Sequence, residues 1–453
     1  MRENRYLTDR WLRSPLIQPL RLLLLMMLIV EPASALPTIE HWQTHNGARV
    51  YFVAARQLPM VDIRIIFDAA AARDGEQPGI ALLTNALLAE GAGSLTADQI
   101  ADQFAAVGAV FGNESLRDMA IVRLRTLTES AAQQQAVSTL AQLLEQPNFA
   151  PAAVERERRR MRVALQQQQQ SPDDVAERLF YQALYGDHPY GHAVLGDEQS
   201  LLSITPAQLQ QFHQRYYVGR NAVVALVGDL DRTAAEALAE ALVGALPAGE
   251  AAAPLPTVPA LAAARQITRS HPSTQTHILI GQPGIRRADS DYIPLYVGNH
   301  ILGGSGLVSR ISQRIREEHG LAYSSYSYFL PMQQQGPLLL GLQTANRNRE
   351  QAQQLLHQTL QRFVSDGPTD EELVRAKQNI RGGFALNLDS NAEMVRYLAT
   401  IGFYRLPLDY LQRYLERVDA VSVAQVQAAF RRHVNPDRLV TVRVGAAPDG
   451  GSE

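Results

Sequence analysis

Short apolar runs rich in Val, Ile and aromatic residues recur along the chain, each closed by polar or small residues. ARVYFVAA (48–55), VDIRIIFDAA (61–70) and MAIVRLRTL (119–127) have the length and composition of strands. Between them, ADQIADQFAAVG (97–108) places its apolar residues at helical spacing. The stretch PGIALLTNALLAEGAG (78–93) predicts a short helix from a Gly start near residue 79 to a Gly stop, with an almost wholly aliphatic middle. The second half repeats the mixture: HILIGQPG (277–284) and LLLGLQTAN (338–346) read as strands, and 348–364 and 370–386 as long helices. Each half is therefore expected to be α+β, a sheet with helices packed on it.

The two halves also align directly. SITPAQLQQFHQRYYVGRNAVVALVG (203–228) lies without gaps over AVSVAQVQAAFRRHVNPDRLVTVRVG (420–445), with matches at Ala207/Ala424, Gln208/Gln425, Arg215/Arg432 and Gly228/Gly445. Both copies pass from a Ser/Thr cap through an amphipathic helix and a turn into an apolar strand that ends in Gly, a pattern that suggests duplication. Between the halves, residues 246–262 (LPAGEAAAPLPTVPALA) are rich in Ala and Pro without periodicity and read as a linker. The glutamine run 166–170 continues a helical stretch that Pro172 ends, and is expected to be a solvated helix face.

Composition narrows the setting. Residues 1–35 run from an Arg-bearing segment through the apolar stretch 22–30 to Ala33-Ser34-Ala35, the form of a secretory signal peptide with its cleavage site. The apolar run falls short of the ~20 residues that span a bilayer, so a soluble exported protein, periplasmic in location, is expected after cleavage. The formal charge of −3 becomes −5 once 1–35, with five Arg and three acids, are removed. That balance gives no electrostatic footprint for nucleic acid or anionic lipid. The chain has no cysteine, which excludes disulfides, thiol catalysis and thiolate metal sites.

Few residues offer chemistry. His41 and His45 in HWQTH stand four apart, but in an extended segment their rings lie far from one another. His188 and His192 flank a Pro/Gly loop beside Asp187, and both pairs read as turn or surface residues. No G-x-S-x-G elbow is present, so an independent hydrolase built on another site finds no support. In the aliphatic helix, Leu82, Asn85 and Ala86 share one face at i, i+3 and i+4. That is the spacing on which the inverted zinc motif H-x-x-E-H sets two His ligands and a general-base Glu.

The frame GIALLTNALLAEGAGSLTADQIADQFAAVGA resembles the first helix and following segment of the pitrilysin/insulinase family of zinc metallopeptidases, where Gly-x-Ala leads directly into H-x-x-E-H. On that resemblance Leu82 and Ala86 stand at the two His positions and Asn85 at the Glu. Leucine and alanine have no zinc donor, and a neutral amide accepts no proton from a metal-bound water. The family's further Glu ligand falls near 162–165, and no carboxylate occurs from Arg158 to Pro172. The resemblance thus implies a chain that binds no metal itself.

GGSGLVSRISQRIREEHGLAYSSYSYF (303–329) also resembles the family, in its C-terminal domain: a helix closing at His319-Gly320, with Gly in the left-handed position, then a strand. By alternation Tyr323, Ser325, Ser327 and Phe329 share one strand face, and Ala322, Ser324, Tyr326 and Tyr328 the other, so Tyr323 is expected beside small hydroxyl residues on a face open to an extended peptide. The resemblance assigns Arg316 and Tyr323 to the Arg/Tyr pair that faces the catalytic zinc from the opposite domain, with Arg314 the competitor for the Arg role.

Taken over 37–447, the resemblance implies two homologous domains, each a mixed sheet with helices, arranged as a clamshell, with an N-terminal domain at 36–245 and a C-terminal one at 263–453. It further implies the non-catalytic, substrate-binding subunit of a heterodimeric periplasmic zinc endopeptidase acting on peptides or unfolded polypeptides. The zinc would belong to a paralogous partner carrying H-x-x-E-H. The alternative is a scaffold or peptide-binding protein without a protease partner.

Overall fold

The computed structural model describes residues 38–386 and 388–447, so the expected leader at 1–35 lies outside them. Thirteen strands run through the described residues. β1 (Glu40–Gln43), β2 (Arg49–Ala54), β3 (Met60–Phe67), β6 (Val110–Ser115), β7 (Ala120–Leu127) and β8 (Ala222–Gly228) make one sheet in the order β1-β2-β8-β3-β7-β6. β9 (Arg265–Ser270), β10 (Gln275–Pro283), β11 (Ala322–Phe329), β12 (Pro337–Ala345) and β13 (Val440–Gly445) make a second, ordered β11-β12-β10-β13-β9. A two-residue pair, β4 (Gly91–Ala92) and β5 (Leu95–Thr96), stands apart.

Stripped of β1, the first sheet has the topology of the second. β2 runs parallel to β8 as β9 does to β13, and every other neighbouring pair in both sheets is antiparallel. The expected duplication is thereby visible in three dimensions, and it makes β6 and β11 equivalent edge strands. The gapless repeat is a helix and the central strand that follows it. Thr205 caps the first helix through Gln208 N and Ser422 caps the second through Gln425 N, each in a full capping box. β8 is buried along its whole length because helices cover both faces of its sheet, which is why it reads as an unbroken apolar run.

Six helices place the candidate site: α1 (Ile80–Leu87), α2 (Pro151–Gln170), α3 (Pro172–Tyr185), α4 (Pro206–Tyr216), α5 (Asn391–Phe403) and α6 (Val423–His433). α1, α2 and α4 pack together on the first half's own core, with Val50, Phe52, Ile63, Ile65 and Val224. α6 serves the second half in the same way, packed with Ile278, Ile280 and Leu340. α3 and α5 do something the periodicity did not foretell: each crosses to the other half. α3 sets Val175, Phe180 and Leu184 against Leu279, Leu339 and Val442 of the second sheet, while α5 lies on β2, β3 and β8 of the first. The close approach explains Gly402, where a Cβ would come 2.6 Å from both Tyr51 and Val223; on Gly281 a Cβ would meet the Leu338 carbonyl of its own sheet at 2.0 Å before the Phe180 ring at 2.8 Å.

The exchange welds residues 39–447 into one compact body, and polar contacts follow the seam. The loop between β11 and β12 is held by the first half: Gln333 N donates to Asp118 Oδ2 (2.7 Å), Gln334 N to the Tyr190 hydroxyl (3.0 Å), and Tyr185 Oη to the Gln335 carbonyl (3.0 Å). Residues 247–261 form neither helix nor strand and lie along the same seam, with Leu255, Val258 and Leu261 buried. The Ala253 and Leu255 carbonyls accept from Arg73 and Gln334. The glutamine run is the exposed end of α2, as expected.

Candidate functional site

α1 begins where expected. Gly79 precedes it at φ 94°, a left-handed conformation that glycine adopts freely, and a Cβ there would also meet the Leu195 carbonyl at 3.0 Å. The buried Asp74 carboxylate accepts from Gly79 N (2.8 Å) and Ala81 N (2.9 Å), satisfying two of the helix's free donors. Burial raises the Asp74 pKa to about 8, against the pull of those two N–H bonds and of Arg117.

Within α1, Leu82 is half-buried against the core, Ala86 is half-buried, and Asn85 is 1% exposed. The Asn85 side-chain amide donates to the Tyr217 hydroxyl (3.3 Å), and the Asn85 main-chain carbonyl accepts from the Asn113 side chain on edge strand β6 (2.6 Å). Burial pushes the Tyr217 phenol well up, so it stays neutral. On α2, Arg162 turns out to an ion pair with Glu198 at 2.7 Å, Val163 is exposed and Leu165 packs on the core. Neither helix offers a donor set that fits zinc at these positions.

One residue before the stretch 158–172, Glu157 is a carboxylate that α2 buries to 2% exposure. It pairs with Arg160 at 2.8 Å, and burial raises its pKa. The signal that could have found it is helical spacing, since Val154, Glu157 and Met161 stand at i, i+3 and i+7 on the helix's buried face.

Three of the four paired histidines are held by protein partners. His41 bonds to the Val50 carbonyl through Nδ1 (2.7 Å) and stacks on Tyr51, while His45 pairs with Glu240 (2.6 Å). His188 is shared between the Pro256 carbonyl and Tyr190 N. One grouping of metal-ligand type, Asp289, Asp291 and His433, occurs among the described residues. His433 bonds to Asp291 at 2.9 Å and Arg432 pairs with the same carboxylate, so its charges are met internally.

In the second half, Ser309 caps a helical turn, Arg310–Ser312, that widens through Gln313–Glu317. Gly320 follows at φ 62°, the left-handed stop expected, with its N–H on the Arg316 carbonyl (2.9 Å). β11 then starts with a bulge between Ala322 and Ser325. The extra residue changes the alternation from that expected, so Tyr323 does not share a face with Ser325 and Ser327. Those serines turn inward at 7% and 2% exposure, with Ser327 Oγ on Asn299, while Tyr323 stands 84% exposed. Tyr326 and Tyr328 stack on the opposite face, centroids 6.0 Å apart.

Arg316 and Tyr323 come together. The guanidinium carbon lies 4.7 Å from the phenol centroid, in cation–π range, and Nη1 reaches the Tyr323 carbonyl at 3.5 Å. Arg314 is held one turn away by Glu318. The arrangement is an exposed phenol hydroxyl and a guanidinium side by side at a sheet edge, able to donate hydrogen bonds to a peptide carbonyl but lacking a nucleophile or base.

Comparison with known proteins gives this geometry a context. The insulinase (peptidase family M16) profile matches residues 49–198, and the M16 inactive-domain profile matches 203–380. A crystal structure of a peptidase M16 inactive domain from Pseudomonas fluorescens is 40% identical, with a TM-score of 0.87 over 90% of this chain and 98% of that one. A Bacillus subtilis protein described as an uncharacterized zinc protease, YmxG, is 26% identical over 360 residues, 79% of this chain and 87% of its own. A similarly described Mycobacterium leprae protein, ML0855, is 33% identical over 290 residues, 61% of each chain. This chain belongs to the insulinase family of peptidases, family M16.

Proposed function

We propose that this protein is the non-catalytic, substrate-binding subunit of a heterodimeric zinc endopeptidase of the bacterial periplasm, acting on peptides or unfolded polypeptides. The zinc, its bound water and the general base belong to a paralogous partner that carries H-x-x-E-H. Support comes from two features of one chain: the positions assigned to the zinc motif hold Leu82, Asn85 and Ala86, while Arg316 and Tyr323 are retained and adjacent. The observation that carries the reading is the 84% exposure of Tyr323. A tyrosine kept only for packing would bury its ring. This one leaves ring and hydroxyl to solvent with a guanidinium beside it.

In the assembled enzyme the chain's own residues act on the substrate. The Tyr323 hydroxyl donates to the oxyanion that develops on the scissile carbonyl, and Arg316 holds the peptide backbone by its carbonyl. An extended peptide pairs along a sheet edge, where main-chain hydrogen bonds bind with little regard to side chain. The test is Tyr323→Phe in the reconstituted heterodimer. Loss of one oxyanion donor lowers kcat by ~10²-fold or more. Unchanged turnover removes Tyr323 from the mechanism, and failure of the chain to co-purify with any H-x-x-E-H protein favours the scaffold reading.

A further inference from the structure

At the seam between the halves, a cavity of about 440 Å³ is lined by Arg49 on β2, Arg73, Arg220 and Arg405, with Asp68 the one carboxylate on its wall. Asp68 is already spent: Arg73 holds both its oxygens, at 2.7 and 2.6 Å, and Gln333 donates to it as well. Among the described residues Arg49, Arg220 and Arg405 enter no ion pair, whereas Arg73 on the same wall does. Arg220, which donates to the Gly249 carbonyl (3.3 Å), and Arg405 are exposed, so water eases their repulsion, and an anion in the concavity would draw them toward Arg49.

Two details sharpen the case. Arg49 reaches the Gly402 carbonyl at the end of α5 through Nη1 (2.7 Å), but its Nε is buried without an acceptor. An unpaired donor on a charged group is costly, and a bound oxyanion would supply the missing acceptor. Gln334, on the same wall, leaves Oε1 buried without a donor, which a ligand hydroxyl would fill. Burial and the Arg405 charge both draw the Arg49 pKa below its ordinary value, as expected of cations crowded together. Arg405 itself sits just past α5 at φ 53°, where glycine is the unstrained residue. The backbone accepts that strain and keeps a guanidinium at the cavity wall.

We infer that this seam cavity is a binding site for a small oxyanion with one hydroxyl, a phosphate monoester or a hydroxy-dicarboxylate, gripped by Arg49, Arg220 and Arg405. Because its walls come from both halves, an occupant would brace them against each other. The site is independent of the peptidase reading and stands or falls without it.

Thermal unfolding of the intact protein, titrated with sodium phosphate against sodium chloride at matched ionic strength, tests the inference. Phosphate is expected to raise Tm by about 1–3 °C near tenfold excess over Kd and then with the logarithm of its concentration, with chloride inert. Arg405→Gln is expected to weaken binding at least tenfold, whereas Arg159→Gln, on the exposed face of α2, leaves it unchanged. Equilibrium dialysis of phosphate against the same three proteins gives a readout free of folding effects. Parallel titrations with phenyl phosphate and malate identify the source, and tighter binding of either supports the site. Dialysis that shows no saturable phosphate binding, or equal affinity in Arg405→Gln, overturns it.

Discussion

Replacing Asp118 with Asn takes a titratable group out of the seam and leaves its shape almost intact. The carboxyl is 3% exposed, accepts from Gln333 N of the other half at 2.7 Å, and lies 3.5 Å from the Tyr404 hydroxyl. Burial lifts its pKa from 3.8 to about 6 and the nearby Asp68 charge adds to the rise, while the Gln333 N–H, Tyr190 and Arg73 hold it down. The folded protein therefore binds this proton more tightly than the unfolded chain does. Its contribution is fully present below pH 4 and is lost as pH rises through about 6. A shift of about two pH units corresponds to ~3 kcal/mol. Urea unfolding followed by circular dichroism, at several values between about pH 4 and pH 7, should show the wild type losing up to ~3 kcal/mol relative to Asp118→Asn over that range. Other carboxyls, Asp74 among them, titrate alike in both proteins and cancel. Parallel stability curves would refute the argument, since they would mean that Asp118 is not held protonated across the seam.

Three further outcomes follow from named contacts. Gly402→Ala should destabilise by about 1–3 kcal/mol in urea, because the overpacking against Tyr51 and Val223 outweighs the ~1 kcal/mol that alanine gains in a helix. Asn85→Ala, which leaves the buried Tyr217 hydroxyl without its donor, should cost about 1–3 kcal/mol by the same measurement and add no metal affinity. Asp74→Ala strips the acceptor from Gly79 N and Ala81 N and should cost a similar ~1–3 kcal/mol, with faster amide hydrogen exchange confined to the start of α1.

The strands, the capped repeat and the short helix over 80–87 were legible because each depends on local pattern: a buried central strand must be apolar on both faces, and a helix must be capped where it starts. The exchange of α3 and α5 was not. An apolar stripe says that a helix covers a sheet without saying which sheet, and only Gly402 hinted that another element comes close. The strand after Gly320 shows the opposite failure. Alternation through Tyr323-Ser324-Ser325 is blind to a bulge when two serines adjoin, so the face was misassigned. Glu157 was overlooked because only 158–172 was read for an acid, although its spacing from Val154 and Met161 puts it on the helix's apolar face.

The central claim is that this polypeptide offers no zinc site of its own and lends Arg316 and Tyr323 to one held elsewhere. Metal analysis of the chain, purified alone and dialysed against buffer containing zinc, tests it most directly. The account predicts substoichiometric zinc that Leu82→Ser, Asn85→Ser and Ala86→Ser leave unchanged. One tightly held zinc ion per chain, lost in any of those variants, would contradict it.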